Sequence, residues 1–359
     1  RGGGAAGGAA AAVAVGGVAT PAVVRSALPS SDGPPLAQAE DLPSVPVEGS
    51  PPVAVAGTPV HLAGAPSVKV REPGWTRPQL VVVAYSGGPD LAGAVVLDPE
   101  TGEYLQYPFW SAVPSPDGTQ MIVRAGLGTA DDPARTGVLD VRTRTVRWID
   151  GLTGQGWWSP DGQEILLVSR DQPYGTGFAI VDAATLTGTH VPFPFGGFDP
   201  VWTPDGDQFA LTVAPDVVNP ADPHRLKGVN FYDRTGQFVR AIPADVAVHA
   251  PSDFSPDGTS VALYNMFHKE VKIVDVATGD VRHVIVLTDH VFDSLGWIDD
   301  SHLLLRLSPG RLEPTYLAVV DLAGTVVETV TLPDQLSTAD LLWVRPAEGL
   351  GDQAAHLAF

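Results

Sequence analysis

The stretch WSPDGQEILLV, residues 158–168, holds an aromatic residue, a turn and an apolar run within eleven positions. Pro160 presets φ, the Asp161 carboxylate is placed to bond back to nearby amides, and Gly162 takes the positive φ that closes the turn. The apolar run at 165–168 is too short for a helix and reads as a buried strand. Close copies stand at PSPDGTQMIV (114–123), WTPDGDQFALTV (202–213) and FSPDGTSVALY (254–264). Their turn residues are Asp117 and Gly118, Asp161 and Gly162, Asp205 and Gly206, and Asp257 and Gly258, and the expected role of all eight is structural. Degenerate copies are WTRPQLVVVAY (75–85), WIDDSHLLLRL (297–307) and LLWVRP (341–346). The aromatic-equivalent positions 75, 114, 158, 202, 254, 297 and 343 are separated by 39, 44, 44, 52, 43 and 46 residues.

A second signature follows the first six of these. An apolar run ends in Asp, usually with Gly soon after: VVLDPETG (95–102), IVDAATLTG (180–188), NFYDRTG (230–236), KIVDVATG (272–279) and VVDLAG (319–324), with GVLDVRT (137–143) lacking the Gly. Such a turn closes a second hairpin. Each repeat therefore reads as four antiparallel strands, and units of this length stack radially as the blades of a propeller.

Together the two signatures resemble the WD-repeat-like blades of TolB-type β-propellers, over roughly residues 48–359. The resemblance implies an all-β propeller and little about ligand, because the matching residues serve turns and packing. TolB carries a further α/β domain that nothing here matches. The sequence predicts seven blades, the last a composite. Its inner strands are expected from ADLLWV and AAHLAF at the C-terminus, its outer ones from residues 53–66, because Gly57 precedes Trp75 by 18 residues much as Gly324 precedes Trp343 by 19. Six blades, with 51–66 outside the ring, is the alternative.

Ahead of the repeats lie two other segments. Residues 1–25 hold a charge-free run of Gly, Ala and Val between Arg1 and Arg25. As a helix its 23 central residues would rise roughly 34 Å, enough for a bilayer core. It reads as a transmembrane anchor or as a signal segment with Thr20-Pro21-Ala22 at the cleavage site. Residues 26–47 are rich in Pro, Ser and acid and read as a linker. Both readings put the propeller, 48–359, outside the cytoplasm, anchored or secreted, with the membrane met through the N-terminal segment only. The scarcity of Lys beside abundant Ala, Gly and Val suits an actinobacterial coding bias.

Composition narrows the function. With no Cys, thiolate chemistry, disulfides and lipidated cysteine are excluded. Forty-one acidic against 21 basic residues give a net charge of −20, which repels nucleic-acid phosphates. No Gly-x-Ser-x-Gly, Walker, H-E-x-x-H or C-x-x-C motif occurs, so no catalytic residue is assigned. Irregular loops between second and third strands, and between blades, all emerge on one face, where recognition is expected. Three residues before each blade aromatic stand Glu72, Ser111, Gln155, Asp199, Pro251, Ser294 and Asp340, with Asp253 and Asp293 alongside. Glu72, Asp199, Asp293 and Asp340 are the candidate cation ligands, Ca²⁺ being the ion that suits carboxylates. His249 and His290 share these loops without metal-site spacing. The expected function is a monomeric interaction module for a protein, peptide or envelope component. The alternatives are a channel-site enzyme, metal-assisted or lactonase-like, and a sensor ectodomain.

Overall fold

A computed structural model describes residues 45–346 except 63, 72–74, 87–92, 127–133, 150, 151, 153, 155, 170–175, 194–197, 214–225, 244, 265–268, 311, 312 and 340. Its local logic is the turn. In residues 158–168, Ser159 Oγ donates to Asp161 Oδ1 at 2.6 Å and accepts from the Glu164 amide at 2.9 Å, while the Gly162 amide closes on the Ser159 carbonyl. The same bonds recur at Ser115–Asp117, Thr203–Asp205 and Ser255–Asp257. Gly118, Gly162, Gly206 and Gly258 all have φ between 71° and 74°, which a side chain would strain. The third strand of every blade ends in Asp: Ala94–Asp98, Arg135–Asp140, Gly177–Asp182, Gly228–Asp233, Glu270–Asp275 and Tyr316–Asp321.

These strands make six antiparallel sheets, one per blade, and not seven. The first blade takes its innermost strand, Leu341–Pro346, from the C-terminal side, paired with Leu80–Ser86 through Trp343↔Ala84. Trp343 and Trp75 thus mark two halves of one blade, not two blades. Trp75 belongs to no strand and leans on His302 of the sixth blade, ring centroids 5.1 Å apart. This pairing of an early strand with a late one closes the ring. The segment AAHLAF lies outside the described residues.

Residues 53–66 do not form the outer half of a blade. They belong to a belt that runs backward around the ring, adding a fifth strand to each sheet it meets. Val45–Val47, placed in the linker by composition, joins the third blade, Val53–Ala54 the second, Thr58–Val60 the first and Ser67–Arg71 the sixth. The belt is anchored at its end by Glu328, fully buried on the sixth blade, whose carboxylate is held by Arg71 Nε at 2.7 Å and by the Arg77 guanidinium. Close approach is required at Gly49, where a Cβ would stand 2.5 Å from Leu186 Cβ.

Between blades the aromatics act as ties. Trp158 Nε1 donates to the Val113 carbonyl at 2.9 Å, Trp202 Nε1 to the Trp157 carbonyl at 3.1 Å and Trp297 Nε1 to the Asp253 carbonyl at 2.8 Å. Each acceptor is the residue just before the aromatic position of the preceding blade. The apolar cores lie in the wedges between sheets, as where Phe178 and Phe193 of the third blade meet Phe209 and Tyr232 of the fourth. No helix among the described residues is long and apolar enough to cross a membrane, and residues 1–25 lie outside them.

Candidate functional site

The fifth blade breaks the pattern. Its sheet has three strands, Ser260–Tyr264, Glu270–Asp275 and Val281–Val286, and the innermost position is held only by isolated bridges, Ala247↔Tyr264 and Phe254↔Val261. Between the bridges, residues 248–253 leave the ladder and turn through a short 3₁₀ segment at Pro251–Asp253. Their freed amides find a side chain in place of a strand: Asp253 Oδ2 accepts from His249 N at 2.8 Å and Ala250 N at 3.0 Å. Asp253 is fully buried, and burial pushes its carboxyl up to about 7 despite those two bonds.

This detour delivers His249 to the channel wall. Its ring lies on that of Tyr264, centroids 4.3 Å apart, with Nε2 3.4 Å from the Tyr264 carbonyl oxygen. Burial lowers the imidazole below its ordinary range, with Asp293 acting in the opposite direction. Tyr264 is buried and donates its hydroxyl to Asp293 Oδ1 at 2.8 Å, which also accepts from the Ser294 amide at 2.9 Å. Asp293 is itself raised by burial, the Tyr264 hydroxyl and His249 partly offsetting it, and the Tyr264 phenol is driven well up by the same burial. Gly296, at φ 110°, lets the sixth blade press against this loop, since a Cβ there would come within 2.6 Å of Ser252 Cβ.

The channel holds a cavity of about 610 Å³ in which Asp199, His249 and Asp293 share the wall with Trp157, Trp158, Trp297 and Trp343. Trp157 and Trp343, from the third and first blades, meet edge to face at 5.7 Å. Their Nε1 atoms are buried and have no hydrogen-bond partner among the described residues. Among the described lining residues Arg345 is a cation already fixed in place, donating to the carbonyls of Pro116 at 2.6 Å and Pro114 at 3.0 Å. The described lining thus sets four indoles and two carboxylates beside one guanidinium fixed on backbone carbonyls, and the indole faces and carboxylates attract positive charge.

Of the carboxylates expected at the channel mouth, Asp199 and Asp293 line this one cavity, while Glu72 and Asp340 lie outside the described residues. Among the described residues no three His, Asp or Glu side chains are grouped as a metal site. Pro251 and Ser294, at matching positions, line the cavity too, whereas Ser111 is buried in the strand Ser111–Pro114. His290 sits at the start of the strand His290–Asp299 and is not part of the lining. Spacing alone could not find the Tyr264–Asp293 bond or the Trp157–Trp343 contact, since both join residues far apart in sequence. The irregular loops after residues 86, 126, 169 and 213 lie largely outside the described residues.

No family model matches the chain, and no curated protein sequence matches it. Solved structures do. TolB from Acinetobacter baumannii is similar at 18% identity over 75% of this chain, with a TM-score of 0.50; the chain spans about 65% of that protein's length. A protein of unknown function from Bacteroides caccae is similar at 12% identity over 74% of this chain and 98% of its own, TM-score 0.50. An oligogalacturonate lyase in complex with manganese is similar at 14% identity over 83% of each chain, TM-score 0.49. At such identities the likeness shows the fold, a TolB-type β-propeller.

Proposed function

We propose that the chain is an extracytoplasmic interaction module that receives a positively charged peptide segment of a partner protein at its channel. The observation that carries this reading is the cavity wall, where two carboxylates and four indoles converge while Arg345 is spent on backbone carbonyls. Lys or Arg side chains are attracted by carboxylates and by indole faces alike. The indoles of Trp157 and Trp343, in edge-to-face contact, give the cavity wall apolar surface for the aliphatic stems of such side chains. The charge-free run before Arg25 supports a location outside the cytoplasm.

Titration of the intrinsic tryptophan fluorescence with an extended Lys-rich peptide tests the proposal. The expected result is saturable binding that weakens with salt, and weakens at least tenfold when Asp199→Asn and Asp293→Asn are combined. Equal binding of an acidic peptide would refute it. Millimolar Ca²⁺ is the informative control: a melting temperature raised by calcium in the parent, and not in the double variant, would assign the same carboxylates to an ion. A second reading, a channel-site enzyme, draws on the contacts of His249, Tyr264 and Asp293, and turnover lost on His249→Gln with the peptide affinity retained would favour it.

A further inference from the structure

Two carboxyls meet where the fifth and sixth blades join, and they are held in unlike ways. Asp253 is fully buried and only one of its oxygens is met. Its Oδ2 accepts from the His249 and Ala250 amides, while Oδ1 is buried with no hydrogen-bond partner among the described residues. Ser294 Oγ is buried and unpartnered in the same sense, and acts on the Asp253 carboxylate without reaching bonding geometry. An ionised carboxylate buried with one oxygen unmet is costly, and a proton on that oxygen removes the cost. Asp293, by contrast, lines the cavity, and its Oδ1 accepts from the Tyr264 hydroxyl and the Ser294 amide. Its charge in turn pushes Asp253 in the same direction as burial does.

We infer that the channel releases its cationic segment on acidification, the Asp253–Asp293 pair taking up protons and stripping the cavity wall of negative charge. The inference rests on the peptide reading above. Neighbouring carboxyls lose their protons in two separated steps that belong to the pair. The window runs from about pH 7, where Asp253 takes its proton, down toward the ordinary carboxylate range, above which Asp293 takes its own. Among the described residues, the other charged or titratable groups facing the pair act as follows. Arg306, opposite Asp293 in the sheet, and Arg345, on the cavity wall, stay charged throughout this window. The Tyr264 phenol, driven well up, stays protonated. Asp199 is a separate carboxylate on the same wall. His249 is neutral near pH 7 and gains its positive charge only on acidification, which repels a cation further. By linkage, a cation bound beside Asp293 favours the ionised pair, so binding expels a proton and affinity rises with pH.

The test is the affinity of the full chain for a Lys-rich peptide, acetylated and free of His so that its own charge is constant, measured from pH 8 to pH 5. The expected result is an affinity at least tenfold weaker at pH 5. In Asp253→Asn, whose amide oxygen can still accept from the His249 and Ala250 amides, the fall should begin only below about pH 6, because the upper step of the pair is gone. His249→Gln should keep most of the fall. A fall abolished by His249→Gln and untouched by Asp253→Asn overturns the inference and assigns the response to the imidazole, and an affinity independent of pH overturns it outright. Carboxyl carbon NMR of the ligand-free chain, labelled at Asp, reads the pair without any peptide. It should show one step near pH 7 that vanishes in Asp253→Asn, and an Asp293 step that moves to lower pH in that variant. Both carboxyls titrating in the ordinary range, or an Asp293 step that does not move, overturns the inference whether or not the peptide binds. No peptide binding at any pH, with both steps as expected, refutes the peptide reading and with it the release, and leaves the proton pair standing.

Discussion

The fourth and fifth blades start from nearly the same words, WTPDG at Trp202 and FSPDG at Phe254, and build different inner walls. In the fourth, Val201–Trp202 pairs in register with Gln208–Val213, and the Trp202 indole reaches back to tie the third blade. In the fifth, Phe254 has no indole N–H to offer, the inner strand dissolves into a loop, and a buried carboxylate does the work of a ladder. The turn itself is unchanged, Ser255 bonding Asp257 as Thr203 bonds Asp205. A repeat can therefore keep its turn while its inner strand is released, and the release is what places His249 against Tyr264 and Asp293.

If that contrast holds, the regular tie should be the costlier one to cut. Trp202 is fully buried, so Trp202→Ala should destabilise the ring by about 3–5 kcal/mol through cavity formation and the lost bond to Trp157. Chemical denaturation would measure it, and a loss under 1 kcal/mol would mean that the blades do not depend on their ties.

In the fifth blade the weight should rest on Asp253. Removing its carboxylate leaves two buried amides unpaired, so Asp253→Ala should cost roughly 2–4 kcal/mol. The pH dependence separates charge from hydrogen bonding. The folded carboxyl sits at about 7 and the unfolded one near 3.8, so between those values the folded state holds a proton that the unfolded state has lost. Stability from this group is present below about pH 4 and falls as pH rises toward 7. His249, lowered by burial from 6.5, works oppositely, adding stability as pH rises toward that value. The difference between parent and Asp253→Asn isolates the first term: their stability gap should shift in favour of Asn as pH rises from 4 to 7. A gap independent of pH would show that Asp253 is ionised throughout.

The turns should matter less, and equally in every blade that keeps the motif. Asp161→Ala loses the Ser159 and Gln163 bonds at the surface and should cost about 1–2 kcal/mol, with peptide binding at saturation unchanged. Binding lost by the folded variant would move the functional face to the turn side.

These differences track what the sequence could reveal. Ser115, Ser159, Thr203 and Ser255 each bond an Asp two residues away, so their turns are local and legible, as are the six third strands that end in Asp. Blade number was not legible in the same way, because Trp75 and Trp343 both carry the repeat's aromatic while one has left its strand. The belt escaped because strands of two to five residues, partnered more than forty positions away, leave no periodicity to read. That Asp199 and Asp293 line one cavity could be anticipated from Asp199 and Ser294 standing three residues before their blade aromatics, with Asp293 alongside. The buried role of Asp253 was not, since nothing in a sequence marks a carboxylate that replaces a ladder.

The smallest effect expected is also the one that joins architecture to binding. Trp202 and Trp343 occupy the same position in their repeats, yet Trp202 Nε1 bonds a carbonyl and Trp343 Nε1 is buried with no partner among the described residues. Trp202→Phe should therefore cost about 1–2 kcal/mol, because it breaks a buried bond and orphans the Trp157 carbonyl. Trp343→Phe removes a donor that gains nothing from folding, and its edge contact with Trp157 survives in part, so its cost should stay within about 0.5 kcal/mol. Trp343 lines the cavity and Trp202 does not, so the order reverses on binding: Trp343→Phe, with its weaker cation–π face, weakens the Lys-rich peptide several-fold while Trp202→Phe leaves it unchanged. Equal losses of stability at the two positions would show that Trp343 is another structural tie, and an unchanged peptide affinity would take its indole out of the proposed site.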